Sequence, residues 1–427
     1  MTNFHQTISE FREAISKKYR RDGVIGLTRA SIASPLYTIG TPITYPIVEH
    51  LCDNQFKILT REKLHDMTIL STSYKFGTSE NLQVREPIGI KTPPKELQQV
   101  CGTRSLGQPF VTQFKNASLI GPTALGVTSS SNIILETCIS RRDILERDLV
   151  KHPSTILRMY AHQKRSRADG TTDFDTVCSL VNLYDGYYHW IQNSLTRLEG
   201  VERYANRTGT QPTLVIRNDP PSWVVESLNL LGYTEDQWIE WDRNYATVDQ
   251  LIVPSMRRRE SLQTYREHQR SDDLTYKDAS ANAYSWLRDQ AIRNLDCDRS
   301  FSSKVLISRE DAHGRRIQNK DAVLQLLEPL GFQELVLSEL SFQEQVKSFS
   351  GAEIIISPHG AGLINTIFAP DNCKVIELFP EWVKPTFFIL SNTLGHQYGY
   401  IECDQTRRDL IVDIDELNRM LENMDII

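Results

Sequence analysis

One stretch constrains this chain more than any other: Glu353 to Pro380, EIIISPHGAGLINTIFAPDNCKVIELFP. It reads as strand, tight loop, short helix and strand. Three consecutive isoleucines between Glu353 and Ser357 form a run too short for a helix and rich in β-branching, which predicts a buried strand. Lys374 to Leu378 predicts a second. Between them, PHGAG at 358–362 lets the backbone turn sharply and a ligand approach closely, and Leu363 to Ala369 has the composition of a short helix. The free N–H groups and dipole of such a helix start suit a phosphate, and two glycines remove side chains that would block an anion. A plain strand-to-helix turn would use the same glycines, so the neighbourhood matters. Arg309 follows the strand Lys304–Ser308, with Arg315 and Arg316 just behind it, and open parallel sheets gather ligands at the carboxyl ends of their strands.

The same order of elements occurs twice. Thr213–Ile216 reads as a strand, Ser222 as the cap of a helix carrying Val224, Leu228 and Leu231, and Gly232 as its stop, before strands at Trp238–Trp241 and Gln250–Val253. Later come the strand at Lys304, a helix through Val323, Leu327 and Leu330, Gly331, and a strand Glu334–Leu337. The phrases LNLLGYTEDQWIEW and LEPLGFQELVLSEL are the visible echo. Ser341 and Glu344 predict a capping box for a helix carrying Phe342, Val346 and Phe349. Two tandem α/β units follow, each alternating strands and helices as doubly wound sheets do, with a cleft between them as the ligand site.

With 427 residues, 40% of them hydrophobic, the chain has material for two or three cores. The net charge of -6 argues against nucleic acid as the main partner. Seven scattered cysteines without a CxxC pair point to reduced thiols in a cytoplasmic setting, not to a disulfide framework or a zinc site. No signal peptide and no apolar run of transmembrane length is visible, so any membrane contact is expected to be peripheral, at the inner face. Phe4, Ile8, Phe11 and Ile15 repeat at helical spacing beside a basic flank. That helix either packs on the body or lies on a membrane surface. Gly23–Pro46 reads as a linker, 56–145 as β-rich, including a run at Met67–Leu70, and His152–Phe174 as an exposed connector. Arg257–Asp298 reads as a helical connection whose triple arginine is a solvated face.

A second candidate for chemistry is Asp185-Gly186-Tyr187-Tyr188-His189-Trp190. Three aromatics around one histidine make a partly dry pocket in which a neutral imidazole could take a proton from a hydroxyl. A core histidine in an aromatic cluster fits the same pattern. There is no GxGxxG after a strand, no Walker A loop and no GxSxG elbow. The DxD triplets, such as Asp173-Phe174-Asp175, are about as frequent as this acidic content allows by chance.

Together, SPHGAGLINTIFAPDNCKVIELFP, SREDAHGRRIQNKD and YYHWIQNSLTRL resemble the family 61 glycosyltransferases over about Tyr184 to Pro380. The resemblance implies an α/β, GT-B-like architecture of two Rossmann-like domains facing a cleft, with an N-terminal β-rich extension. The expected division is a helix and linker at 1–55, a β-rich subdomain at 56–170, an acceptor-side domain at 171–298 and a donor domain at 299–427. It also implies inverting transfer from a nucleotide sugar. A UDP-linked donor and a glycan or lipid-linked acceptor are the expected pair, and since fixed cations and backbone dipoles can carry the diphosphate charge, no metal or other cofactor is expected to be required. His359, Gly360, Ala361, Gly362 and Leu363 would line the donor diphosphate, Arg309 and Arg316 would neutralise it, and Glu377 would meet ribose or base. His189 or Asp185 would activate the acceptor. Asn193 and Thr196 depart from the family pattern of an acidic residue and a proline. A pyruvyl or phosphoryl transferase of polysaccharide assembly and a non-catalytic nucleotide-sugar binding protein are the competing readings.

Overall fold

The computed structural model describes residues 45–66, 71–139, 141–164, 172–260 and 277–427. The N-terminal amphipathic helix, the linker before Pro46 (nearly all of it) and the run Met67–Leu70 lie outside these residues.

Five parallel strands make the sheet that carries the HGAG segment. They are Lys304–Ser308, Phe332–Val336, Ile354–Pro358, Lys374–Phe379 and Gln397–Glu402. Numbered along the chain, their order across the sheet is 2-1-3-4-5, one of the two common doubly wound arrangements. Strand direction and helix placement follow the sequence periodicity. Helices Lys320–Leu327 and Ile414–Asn423 bury Val323, Leu327, Leu417 and Met420 on one face, while Phe342–Ser350 and the 3₁₀ run Ala361–Phe368 cover the other. The capping box of Ser341 and Glu344 forms as its spacing predicts.

The first half is built on a nine-stranded mixed sheet. Its strands Tyr245–Pro254, Phe174–Ser179, Thr213–Arg217 and Trp238–Trp241 run parallel in that spatial order. Phe110–Ile120 then pairs antiparallel with Tyr245–Pro254 from Tyr245↔Ile120 to Pro254↔Val111. Strands from 56–170 and from 171–298 thus share one sheet, because the long edge of Tyr245–Pro254 would otherwise be left with unpaired backbone groups. The echo in the sequence is real in the backbone: Gly232 and Gly331 both take φ 86° between a helical segment and the following strand. The first of those helices departs from expectation in its start. Pro221 precedes it, Ser222 is its first residue, and no side chain caps it.

Two other expectations change. Pro153–Lys164 is a helix, not a connector, and it buries Met159 and His162 and sets Tyr160 edge-on to Phe56 at 4.8 Å. Two arginines of the basic run are not solvated: Arg257 and Arg258 are buried at 5% and 1% exposure. Arg257 pairs with Glu199 and donates to the Ser280 hydroxyl at 3.0 Å, so its charge is matched inside.

One apolar core runs through both halves. Trp190, Ile191 and Leu195 from the first pack into the cluster of Phe342, Phe349, Leu363 and Ile364 from the second. Among the described residues no helix is long and apolar enough to cross a membrane.

Candidate active site

In a 2-1-3-4-5 sheet the connections leave strands 1 and 3 in opposite directions, opening a crevice beyond their carboxyl ends. Here those ends are Ser308-Arg309 and Pro358-His359-Gly360. The guanidinium of Arg309 crosses the crevice and rests on Gly360, where an added Cβ would collide with Nη1 and meet Cζ at 3.0 Å. Gly360 has φ −179°, extended backbone that any residue adopts, so the close approach is what demands glycine. Gly362 serves a different end. A Cβ there would meet Leu337 Cδ1 at 2.6 Å and Ile307 Cγ2 at 4.0 Å, so this glycine seats the 3₁₀ run on the sheet. Leu363 is fully buried in the core and its N–H bonds the Gly360 carbonyl at 3.1 Å, which withdraws it from any ligand; Ala361 is exposed at the rim.

Of the two neighbouring arginines, the structure places Arg315 at the crevice. Arg316 is exposed and committed to Asp409, with Nη2 2.6 Å from Oδ2 and its backbone N–H donating to Oδ1 at 3.1 Å. Arg315 sits at φ 60° and turns the other way, its Cζ 5.7 Å from the ring centre of Trp382. Burial pushes the guanidinium pKa of Arg309 down and Arg315 adds to that shift, while burial likewise lowers Arg315 against the opposing pull of Glu377. Neither arginine has a carboxylate within ion-pair distance among the described residues. Two partly buried guanidiniums with no carboxylate at ion-pair distance among the described residues thus lie at this end of the sheet.

His359 and Glu377 come together in a way the sequence did not announce. Nδ1 of His359 lies 2.5 Å from Oε1 of Glu377, and the hydroxyl of Tyr398 donates to Oε2 at 2.6 Å. Glu377 has 0% exposure with both oxygens engaged, so it does not face the crevice and cannot meet a ribose. The cause is its position inside a central strand, between Ser357 and Tyr400. Phe379 stacks on the His359 ring at 5.6 Å, Phe387 tilts against it at 5.4 Å and Trp382 stands edge-on at 5.1 Å.

His189 lies across the interface. Of the three expected aromatics only Tyr188 touches its ring, edge-on at 5.2 Å, while Tyr184 stacks on it at 4.6 Å. Tyr187 turns into the second half, where its hydroxyl donates to Asn365 at 2.7 Å, and Trp190 is buried with Nε1 donating to Ser227 at 2.9 Å. A π-helical turn over Trp190–Ser194, a geometry frequent at functional sites, brings the buried Asn193 amide 3.4 Å from His189 Nδ1. Tyr188 in turn meets Phe387 at 5.8 Å, so the two histidines are joined through two rings. Asp185 is exposed and pairs with Arg217 at 3.7 Å. Asp173 of the first DxD accepts from the Thr247 hydroxyl and backbone at 2.8 Å each, which holds its pKa below the ordinary range.

Tyr398, Trp382 and Phe387 were not singled out from the sequence, and Arg315 was named beside Arg309 but Arg316 was assigned the donor role in its place. For Arg315 the signal was present in the Arg315-Arg316 pair, since adjacent residues at a turn project to different sides. The others are supplied by strands and loops distant in the chain.

Residues 187–376 match the family described as Glycosyltransferase 61. The chain is 25% identical over 123 residues to a protein O-linked-mannose beta-1,4-N-acetylglucosaminyltransferase 2 of Xenopus laevis, covering 27% of this chain and 21% of that one. It is 26% identical over 90 residues to a beta-1,2-xylosyltransferase of Arabidopsis thaliana, covering 21% and 17%. Over 82 residues it is 29% identical to an alpha-1,3-arabinosyltransferase of Oryza sativa subsp. japonica, covering 17% and 14%. The aligned stretches thus span about a fifth or less of these relatives. The segment 187–376 is thus similar to the glycosyltransferase 61 family, and the relatives it matches are named as glycosyltransferases.

Proposed function

We propose that the chain is an inverting glycosyltransferase that moves a sugar from a nucleoside diphosphate sugar, UDP-linked, to a hydroxyl of a glycan or lipid-linked acceptor. The two halves act in a GT-B-like manner, the second holding the donor and the first presenting the acceptor. The observation that carries this reading is the pair of partly buried guanidiniums of Arg309 and Arg315 beside Gly360, at the switch point of the sheet. The match of 187–376 to the glycosyltransferase 61 family and the sugar transfers named for its relatives support it.

Arg309, Arg315 and the start of the 3₁₀ run hold the diphosphate, so the charge of a metal is not required. His189 takes the proton of the acceptor hydroxyl, whose oxygen forms the new bond to the anomeric carbon as the bond to the diphosphate breaks on the opposite face. The electron pair stays on the departing diphosphate, and the two guanidiniums stabilise that growing charge more in the transition state than in the ground state. The Asn193 amide nitrogen, 3.4 Å from His189 Nδ1, helps to hold the ring in place.

Calorimetric titration of UDP, GDP and CMP, with and without magnesium or manganese, tests the donor site. One nucleoside diphosphate is expected to bind without metal, and Arg309→Ala to abolish it. His189→Ala is expected to keep nucleotide affinity and lose about 10²–10⁴-fold in turnover. Absence of binding by all three would overturn the reading. Binding without transfer to any glycan acceptor would mark a binding protein.

A further inference from the structure

We propose that Glu377 and Tyr398 hold His359 so that its Nε2 receives the departing diphosphate, and that the anion binds together with one proton at this imidazole. The proposal rests on the donor-site reading above.

A carboxylate can only accept, so the His359 proton lies on Nδ1 and donates to Oε1 of Glu377. The other oxygen takes the Tyr398 hydroxyl, and burial pushes that phenol well above its ordinary pKa, so Tyr398 remains a donor. The carboxylate is therefore locked, and with it the tautomer and orientation of the ring. Phe379, Phe387 and Trp382 wall the imidazole. Nε2 has no protein partner among the described residues, yet the residue keeps 7% exposure at the carboxyl end of its strand. It is the one polar atom of the ring left for a ligand.

Charged groups lie around this ring. Glu377 stands behind it on the next strand, Arg309 lies on the adjacent Gly360, and Arg315 and Lys384 lie over Trp382, at 5.7 and 5.1 Å from that ring's centre. With its one N–H engaged by Glu377, the ring donates to an anion only by carrying a second proton on Nε2. That proton then makes a charge-assisted bond to a phosphate oxygen while the first stays hydrogen-bonded to Glu377. The proton taken up on binding makes affinity strongest at low pH and weaker as pH rises.

The test is calorimetry of UDP on the full chain across a pH series, each point in two buffers of different ionisation enthalpy. His359→Gln serves as the control for protons taken up by UDP itself. Wild type is expected to take up as much as one more proton per UDP than His359→Gln, and its affinity to fall by up to about tenfold per pH unit within the sensitive range. Glu377→Gln, which keeps the shape and removes the charge, is expected to move that fall to lower pH. Tyr398→Phe is expected to move it in the same direction by less. Identical pH dependence of wild type and His359→Gln, or of wild type and a folded Glu377→Gln, would overturn the proposal while leaving the donor site standing. Failure of UDP, GDP and CMP alike to bind wild type at any pH would overturn both. Should Glu377→Gln fail to fold, the wild type and His359→Gln comparison carries the same decision.

Discussion

The guanidinium of Arg309 and the Cα of Gly360 touch across the switch point, tying the end of the first strand of the sheet to the loop after the third. Substituting Gly360→Ala forces the arginine aside, because the added carbon would occupy its place. Nucleotide affinity is expected to drop about tenfold or more, roughly 1.4 kcal/mol. Arg309 ends in a side chain that can swing, so the stability cost stays at about 1 kcal/mol, the low end for overpacking. Titration calorimetry and thermal unfolding of the same preparation separate the two effects.

Arg315 and Arg316 are neighbours with opposite tasks. Arg315→Ala is expected to weaken UDP binding at least tenfold, since it removes a partly buried cation that no carboxylate holds at ion-pair distance among the described residues. Arg316→Ala is expected to leave UDP affinity unchanged, because its charge is already spent on Asp409 at the surface. Equal losses in both variants would show that the crevice is not where the anion binds.

Tyr187 fastens the first half to the second. Its hydroxyl donates to Asn365 at 2.7 Å and lies 3.1 Å from Gln345, while Asn365 also donates to Gln345 at 2.8 Å. In Tyr187→Phe the two amides keep each other, so the loss is expected to be about 1–2 kcal/mol. Urea unfolding should show a lower midpoint at an unchanged slope.

His396 links stability to pH. Burial, aided by Arg288, pushes its pKa down to about 4, against about 6.5 in the unfolded chain. The unfolded state therefore binds a proton first, and the native state loses stability as pH falls from about 6.5 toward 4, by a few kcal/mol at the acid end on the order-of-magnitude scale of such linkage. Above about pH 6.5 the contribution is constant. Unfolding free energies of wild type and His396→Asn, measured across this window, should diverge in slope, the variant being flatter.

What the sequence determined by itself was local and periodic. The isoleucine run, the Ser341–Glu344 box and the glycines at 232 and 331 fixed strands, a helix start and two helix stops, because each acts through its own backbone or through neighbours a few residues away. The HGAG turn and Arg309 were legible for the same reason. What only the tertiary structure decided was which side chains meet. Glu377 reads as a candidate for ribose until the strands on either side enclose it and give its oxygens to His359 and Tyr398. Arg257 and Arg258 read as solvated until Glu199 and the packing around them take them inside. The exposed-connector reading of 152–174 failed over Pro153–Lys164, because Met159 and His162 find their cover only in the assembled first half, while 165–171 lie outside the described residues. Charge and burial at a residue are properties of what surrounds it, and those surroundings come from strands dozens to hundreds of residues away, brought together by sheet order that no local pattern encodes.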